Sequence, residues 1–152
     1  MKVGIVVGHN AVAKGARARA PLSVDEFSWN DLIADEMVRL ARPPLTVKKF
    51  HRQHLGSYSR EIDEVYGRVD EFGADATVEL HFNAATPAAT GTETLSSGSS
   101  GSMALAQSMQ DAMLAALGRR DRGVKLKSRT DRGGRSLHAG RAPAILVEPF
   151  FG

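Results

Sequence analysis

Two histidines stand where short β-branched runs stop. His9 follows Lys2–Val7, and His81 closes the run that begins at Ala76. A third run, Ala144–Val147, leads straight into Glu148. In open α/β sheets, ligands bind outside the carboxyl ends of the strands. If these three strands are parallel, His9, His81 and Glu148 share one crevice. Glu26, at the start of the first long helical pattern, is in reach of the same place. Two imidazoles and one carboxylate form a catalytic zinc set whose fourth position is open to water. A second carboxylate beside that water supplies a general base. The chain has no cysteine, so any metal must be held by His, Asp or Glu.

The three asparagines lie near these residues. Asn10 adjoins His9, Asn30 is one helical turn after Glu26, and Asn83 is two after His81. Amides so placed suit contacts to ligand residues or to substrate. Asp25 is an alternative to Glu26, but the four-residue step to Asn30 favours Glu26. Glu79 shares a strand face with His81 and can orient it, and Glu93 can line a cleft. His51 and His54, among Arg52, Gln53 and Gly56, read as an exposed loop. His138, in a Gly/Arg-rich segment, is a candidate contact to substrate or oxyanion.

Those residues need elements to hold them. Lys2–Val7 reads as a buried strand ending in a turn. Ser23 with Glu26 reads as a capping box. Trp29, Leu32, Ile33, Met37 and Leu40 form one apolar helix face, stopped by Pro43-Pro44. Leu45–Phe50 reads as a strand. Ile62, Val65, Tyr66, Val69 and Phe72 give a second helix, closed by Gly73. Gly91–Leu95 reads as a short strand and Ser96–Ser102 as a flexible connection. Leu105 to Leu117 gives a third helix before Gly118, and Val124–Leu126 a strand within the basic stretch Arg119–Arg135. Strands alternating with helices argue an α/β fold with a mainly parallel sheet.

At 152 residues the chain fits one domain, read as 1–152, and no repeat or break divides it. Hydrophobic residues at 42% and charged residues at 24% place it with folded globular proteins. No apolar run approaches the ~20 residues of a membrane span, and the start lacks the apolar core of a signal peptide. The net charge of +3 is too small to imply nucleic acid, and the few aromatics offer few stacking platforms. The basic stretch reads as a solvated loop that can also meet anionic groups.

Seven pieces then occur in order: Gly8-His9-Asn10, Gly15-Ala16, Glu26 with Asn30, Leu80-His81-Phe82-Asn83-Ala84, Gly91-Thr92-Glu93, Arg122-Gly123-Val124-Lys125, and Pro143 to Glu148. Together they resemble the zinc-dependent N-acetylmuramoyl-L-alanine amidases of the amidase-3 type, over nearly the whole chain. The resemblance implies a three-layer α/β sandwich around a mixed sheet. It implies one zinc ion on His9, Glu26 and His81, with Glu148 as catalytic glutamate and peptidoglycan as substrate. Asn10, Asn30, Asn83 and His138 are then candidate substrate contacts. No nucleic-acid or membrane partner is expected, and the chain is expected to be a monomer. Three departures are visible: Val6-Val7-Gly8 precedes His9 where the family often has an acidic residue, Asn10-Ala11 follows it where the family often has Gly-Gly, and Glu79-Leu80 stands where it often has Ser-Ile. The chain also stops four residues after Glu148, where such domains commonly add a helix. With no signal peptide, a phage-type lysis enzyme made in the cytoplasm and acting on the wall fits; a trimmed domain of an exported bacterial enzyme is the alternative. Two other functions remain open on the residues alone: a different zinc hydrolase such as an exopeptidase, and a non-enzymatic basic wall-binding module.

Overall fold

The computed structural model describes every residue except Pro87. In chain order the elements are β1 (Lys2–Val7), α1 (Glu26–Leu40), β2 (Thr46–His51), α2 (Tyr58–Phe72), β3 (Ala76–Leu80) and β4 (Thr92–Ser96). They continue with α3 (Ser100–Leu117), β5 (Asp121–Leu126), α4 (Gly134–Leu137) and β6 (Ala144–Glu148). The six strands form one sheet in the order β2-β1-β3-β6-β4-β5. All neighbours are parallel except β4 and β6, which run antiparallel. The sheet is therefore mixed and mainly parallel, with helices on both faces, as the sequence implies.

Strand side chains alternate between the faces, and β1 shows how this builds two cores. Ile5 and Val7 join Val78, Leu80, Ile145 and Val147 under Ala34 of α1 and Ala106 of α3. Val6 points the other way, onto Ile62, Val65, Tyr66 and Val69 of α2. Full burial of an aliphatic side chain contributes about 1.5–3 kcal/mol, so this stripe of α2 binds the helix firmly to the sheet. Leu137 of the short α4 packs with Leu95 and Leu146 on that same side. Among the described residues, no helix is long and apolar enough to cross a membrane.

Three local expectations change. The cap of α1 is Asp25, whose side chain accepts from Ser28 N at 2.8 Å; Ser23 makes no capping bond. The buried face of α1 is Glu26, Asn30 and Ala34, while Leu32 and Leu40 are exposed. A helix lying close over β1 needs a small residue at the contact, which Ala34 supplies. The first turn of the same stripe carries polar side chains that serve the strand ends, so its polarity hides its burial. The Gly/Ser stretch is ordered in large part: Ser99 caps α3, and buried Ser102 bonds Ser96 and the Ala144 carbonyl. Serine hydroxyls satisfy backbone groups there, which composition alone does not reveal.

Asp25→Ala should therefore lower stability by about 1 kcal/mol, while Ser23→Ala should change it by less than about 0.5 kcal/mol. Urea midpoints at unchanged slope would read both values. Equal losses would contradict the assignment of the cap.

Candidate active site

Pairing brings three strand ends together. Val7 lies beside Leu80, and Leu80 beside Val147. Beyond these ends the backbone stays in register: Gly8 N donates to Leu80 O and His81 N donates to Val147 O, both at 3.0 Å. His9, His81 and Glu148 therefore emerge at one end of the sheet. α1 enters from above, with Glu26 in its first turn.

Glu26 is 3% exposed, and its carboxylate receives four polar groups. Oε1 accepts from Phe82 N at 3.1 Å and lies 2.7 Å from His81 Nδ1. Oε2 accepts from Ala16 N at 3.0 Å and lies 3.1 Å from His9 Nε2. Burial would favour the neutral acid, but the contacts from His81 and His9 win and hold the carboxyl far below its usual range. His81 is likewise raised to about 9 despite its burial, through Glu26 and Glu79. Donor atoms of His9, Glu26 and His81 all lie within 4.8 Å of one another. Two imidazole nitrogens and a carboxylate fit a zinc ion. Gly15 leaves the space for this cluster. It has φ +78, and a Cβ there would lie 2.5 Å from Glu26 Oε2 and 2.6 Å from His9 Cδ2.

His9 has φ 66, a conformation uncommon for a non-glycine residue and held only where its surroundings fix it. Asn10 does the fixing. Its Oδ1 accepts from Val12 N and Ala13 N at 3.0 and 2.7 Å, and its Nδ2 donates to Glu61 Oε2 at 2.9 Å. Buried Glu61 is also bonded by Arg52 and Leu55 N. Asn30 Nδ2 donates to the Leu80 carbonyl at 3.2 Å, beside His81. Both asparagines are buried and serve this frame; neither lines the cavity.

Behind His81 stands Glu79, 1% exposed, with Oε1 3.0 Å from His81 Nε2. Tyr66 OH donates to Glu79 Oε2 at 3.0 Å, and Arg52 Nη1 lies 4.0 Å away from Oε1. A carboxylate on the outer nitrogen of a ligating histidine fixes its tautomer and raises its basicity. The inner Nδ1 is thereby left facing Glu26.

Glu148 lines the same cavity of about 990 Å³ as His9, Glu26 and His81. Its Oε2 accepts from Asn83 Nδ2 at 2.7 Å, and that amide also donates to Glu93 Oε1 at 2.7 Å. Arg122 Nε donates to Glu93 Oε2 at 2.6 Å. Burial, together with Glu93, pushes the Glu148 carboxyl up to about 7. Glu93 stays below its usual value: burial opposes this, and bonds to Glu148, Arg122 and Asn83 outweigh it. Lys127 and Arg132 also line the cavity.

The structure thus brings together His9, Glu26, His81, Glu148 and Asn83 among the expected residues. His138 lies outside the cavity lining, with Nε2 3.0 Å from Lys127 O, supporting that loop. His51 pairs with Asp31, and His54 lies 3.4 Å from Glu61, both away from the cluster. The Arg122–Glu93 pair and the Tyr66–Glu79 bond escape sequence reasoning, because their partners are 29 and 13 residues apart.

Residues 3–152 match the family described as N-acetylmuramoyl-L-alanine amidase. Among solved structures, the chain is similar to the catalytic domain of the CD27L endolysin targeting Clostridia difficile. That match has 25% identity and TM-score 0.82, over 99% of this chain and 82% of that one. It is also similar to an N-acetylmuramoyl-L-alanine amidase from Clostridium difficile 630, at 25% identity and TM-score 0.78, over 99% and 79%. The catalytic domain of CwlV from Bacillus (Paenibacillus) polymyxa var. colistinus, at 23% identity and TM-score 0.76 over 99% and 81%, shares the fold. No curated protein sequence matches.

Asn10→Ala should cost about 1–3 kcal/mol in stability, because it frees two turn amides and leaves buried Glu61 short of a donor. Chemical denaturation reads this directly. Unchanged stability with a raised KM would instead make Asn10 a substrate contact.

Proposed function

This chain belongs to the N-acetylmuramoyl-L-alanine amidase family, peptidoglycan hydrolases that cut the amide between N-acetylmuramic acid and L-alanine, and we propose that it works with one zinc ion on His9, Glu26 and His81 and with Glu148 as proton carrier. One observation carries the reading. The three donor groups converge on one point, and Glu148 stands across the same cavity with a carboxyl close to neutral titration. Zinc bound there supplies a Lewis acid that polarises the scissile carbonyl and makes a water acidic.

The chain's own groups do the rest. Glu26 and His81 are held by Ala16 N, Phe82 N and Glu79, so the ligand set is rigid before metal arrives. Glu148 takes a proton from the attacking water as its oxygen bonds to the carbonyl carbon. The carbon–nitrogen bond then breaks, and Glu148 gives the proton to the departing L-alanine amine. The sugar keeps a lactyl carboxylate. A carboxyl titrating near 7 suits both duties, since it accepts and returns a proton at similar cost. Asn83, bonded to Glu148 Oε2, fixes its orientation. Lys127 and Arg132, in the cavity lining, suit the acidic groups of the stem peptide. Asn10, Asn30 and His138 contribute through the frame that holds these groups.

Metal analysis joined to product analysis tests the reading. The parent and His51→Ala should each hold one zinc, and His9→Ala and His81→Ala should lose most of it. Glu148→Gln should keep zinc and lose about 10²–10⁴-fold in rate. Digested walls should gain alanine amino ends and no reducing sugar ends. Full zinc retention in both histidine variants would overturn the ligand set. A Glu148→Gln rate within a factor of two of the parent would overturn the proton carrier.

A further inference from the structure

β4 is the strand that breaks the parallel pattern. Running antiparallel to β6, it sets Glu93 directly opposite Glu148. Two carboxyl groups this close in a buried setting cannot both ionise cheaply. Nothing in that pairing says which one keeps the proton; the surroundings do.

Those surroundings are asymmetric. Arg122 reaches Glu93 and not Glu148. The β4–β5 register shifts between Thr92 and Glu93, whose partners are Asp121 and Gly123, so Arg122 is the extra residue of a bulge. Bulges re-aim side chains, and this one turns the guanidinium onto Glu93 Oε2 at 2.6 Å. Gly91 leaves the room: a Cβ there would lie 2.8 Å from Arg122 Cγ and Cδ. Phe151 lies beneath the guanidinium at 5.1 Å. The segment after β6 is tied down in turn, by Asn83 N to Phe150 O, Gly152 N to Asn83 O and Thr92 Oγ1 to Pro149 O. One amide, Asn83 Nδ2, holds both carboxyls at 2.7 Å.

We propose that Glu93 is a positioning residue for the hydrolysis: Arg122 fixes it as an anion, and Asn83 ties it to Glu148, so that the shared proton of the pair resides on Glu148. The proposal rests on the reading of Glu148 as proton carrier, and its consequence is a pH optimum set by β4 and β5. The direction of the two carboxyl shifts agrees with the geometry. Other charged groups near Glu148 are His81 after β3 and Glu26 on α1, which act on it through space. Lys127, Asp131 and Arg132 line the same cavity. The only charged residue of α3, Asp111, is exposed, and Arg135 of α4 pairs with Asp63.

The two halves of the device predict opposite shifts. Glu93→Gln removes the neighbouring anion, so Glu148 should release its proton more easily. The acidic limb of kcat/KM should then move down by about one pH unit. Arg122→Gln removes the cation that neutralises Glu93, so the pair should hold its proton more tightly and the limb should move up. Zinc-loaded protein, with wall fragments as substrate, gives the rate profiles. Carbon-13 NMR of labelled glutamate carboxyls gives the titration of Glu148 directly, whether or not that group does the chemistry. Opposite shifts in both readouts support the proposal. An unmoved Glu148 titration in both variants, or shifts of the same sign, would overturn it. If Glu93→Gln does not fold, Arg122→Gln decides alone: an upward shift supports the device and no shift overturns it. Glu148→Gln, run in parallel, tests the proton carrier separately; its retained activity would reject that reading while the NMR titration still decides the pairing.

Discussion

A single carboxylate, Glu26, ties the active end of the molecule together. It lies in the first turn of α1, buried against the ends of β1 and β3, and it stays ionised because two imidazoles and two backbone amides surround it. Removing one partner from such a buried ion cluster typically costs about 3–5 kcal/mol, because the charge left behind has no water to return to. The constraint propagates outward. Gly15 must lack a side chain, Lys14 and Ala16 must accept from the backbone at the start of α1, and His9 must hold a positive φ. Asn10 and Glu61 then fix that turn from below, and Asn30 fixes the end of β3.

The second centre depends on the one antiparallel pairing in the sheet. A wholly parallel sheet would deliver only the strand-end residues of β1, β3 and β6 to the crevice. Reversing β4 adds Glu93, and the bulge in β5 adds Arg122. The molecule thus separates two kinds of buried carboxylate. Glu26 is held as an anion by cationic and amide donors, and Glu148 is kept close to neutral titration by burial and an acidic neighbour. Environments that push two carboxyls apart in this way suit the proposed division of labour, with Glu26 as a fixed ligand group and Glu148 as a mobile proton store.

Much of this can be read in the chain. The runs ending at His9, His81 and Glu148 announce strands because β-branched residues cluster and stop abruptly, and strand ends of a parallel sheet converge by geometry. Glu26 and Asn30 share a face because four residues make one helical turn. What escapes is whatever depends on distant pairing. The apolar pattern of α1 points away from its true contact face, since that face is made of Glu26, Asn30 and Ala34. Serine-rich Ser96–Ser102 suggests mobility, yet its hydroxyls cap α3 and join β4 to β6. The bulge at Arg122 and the antiparallel turn of β4 leave no local mark. The Glu79-Leu80 pair, unusual for the resemblance, finds its reason only with Tyr66 and His81 in view.

The most direct measurement of the central claim is anomalous diffraction at the zinc edge from crystals of the zinc-loaded protein. The account predicts one strong peak, bounded by His9 Nε2, His81 Nδ1 and a Glu26 oxygen, at the ~2.0–2.2 Å expected of nitrogen and carboxylate ligands. A peak at His51 or His54, or one ligated by Glu148 with Glu26 turned away, would contradict it.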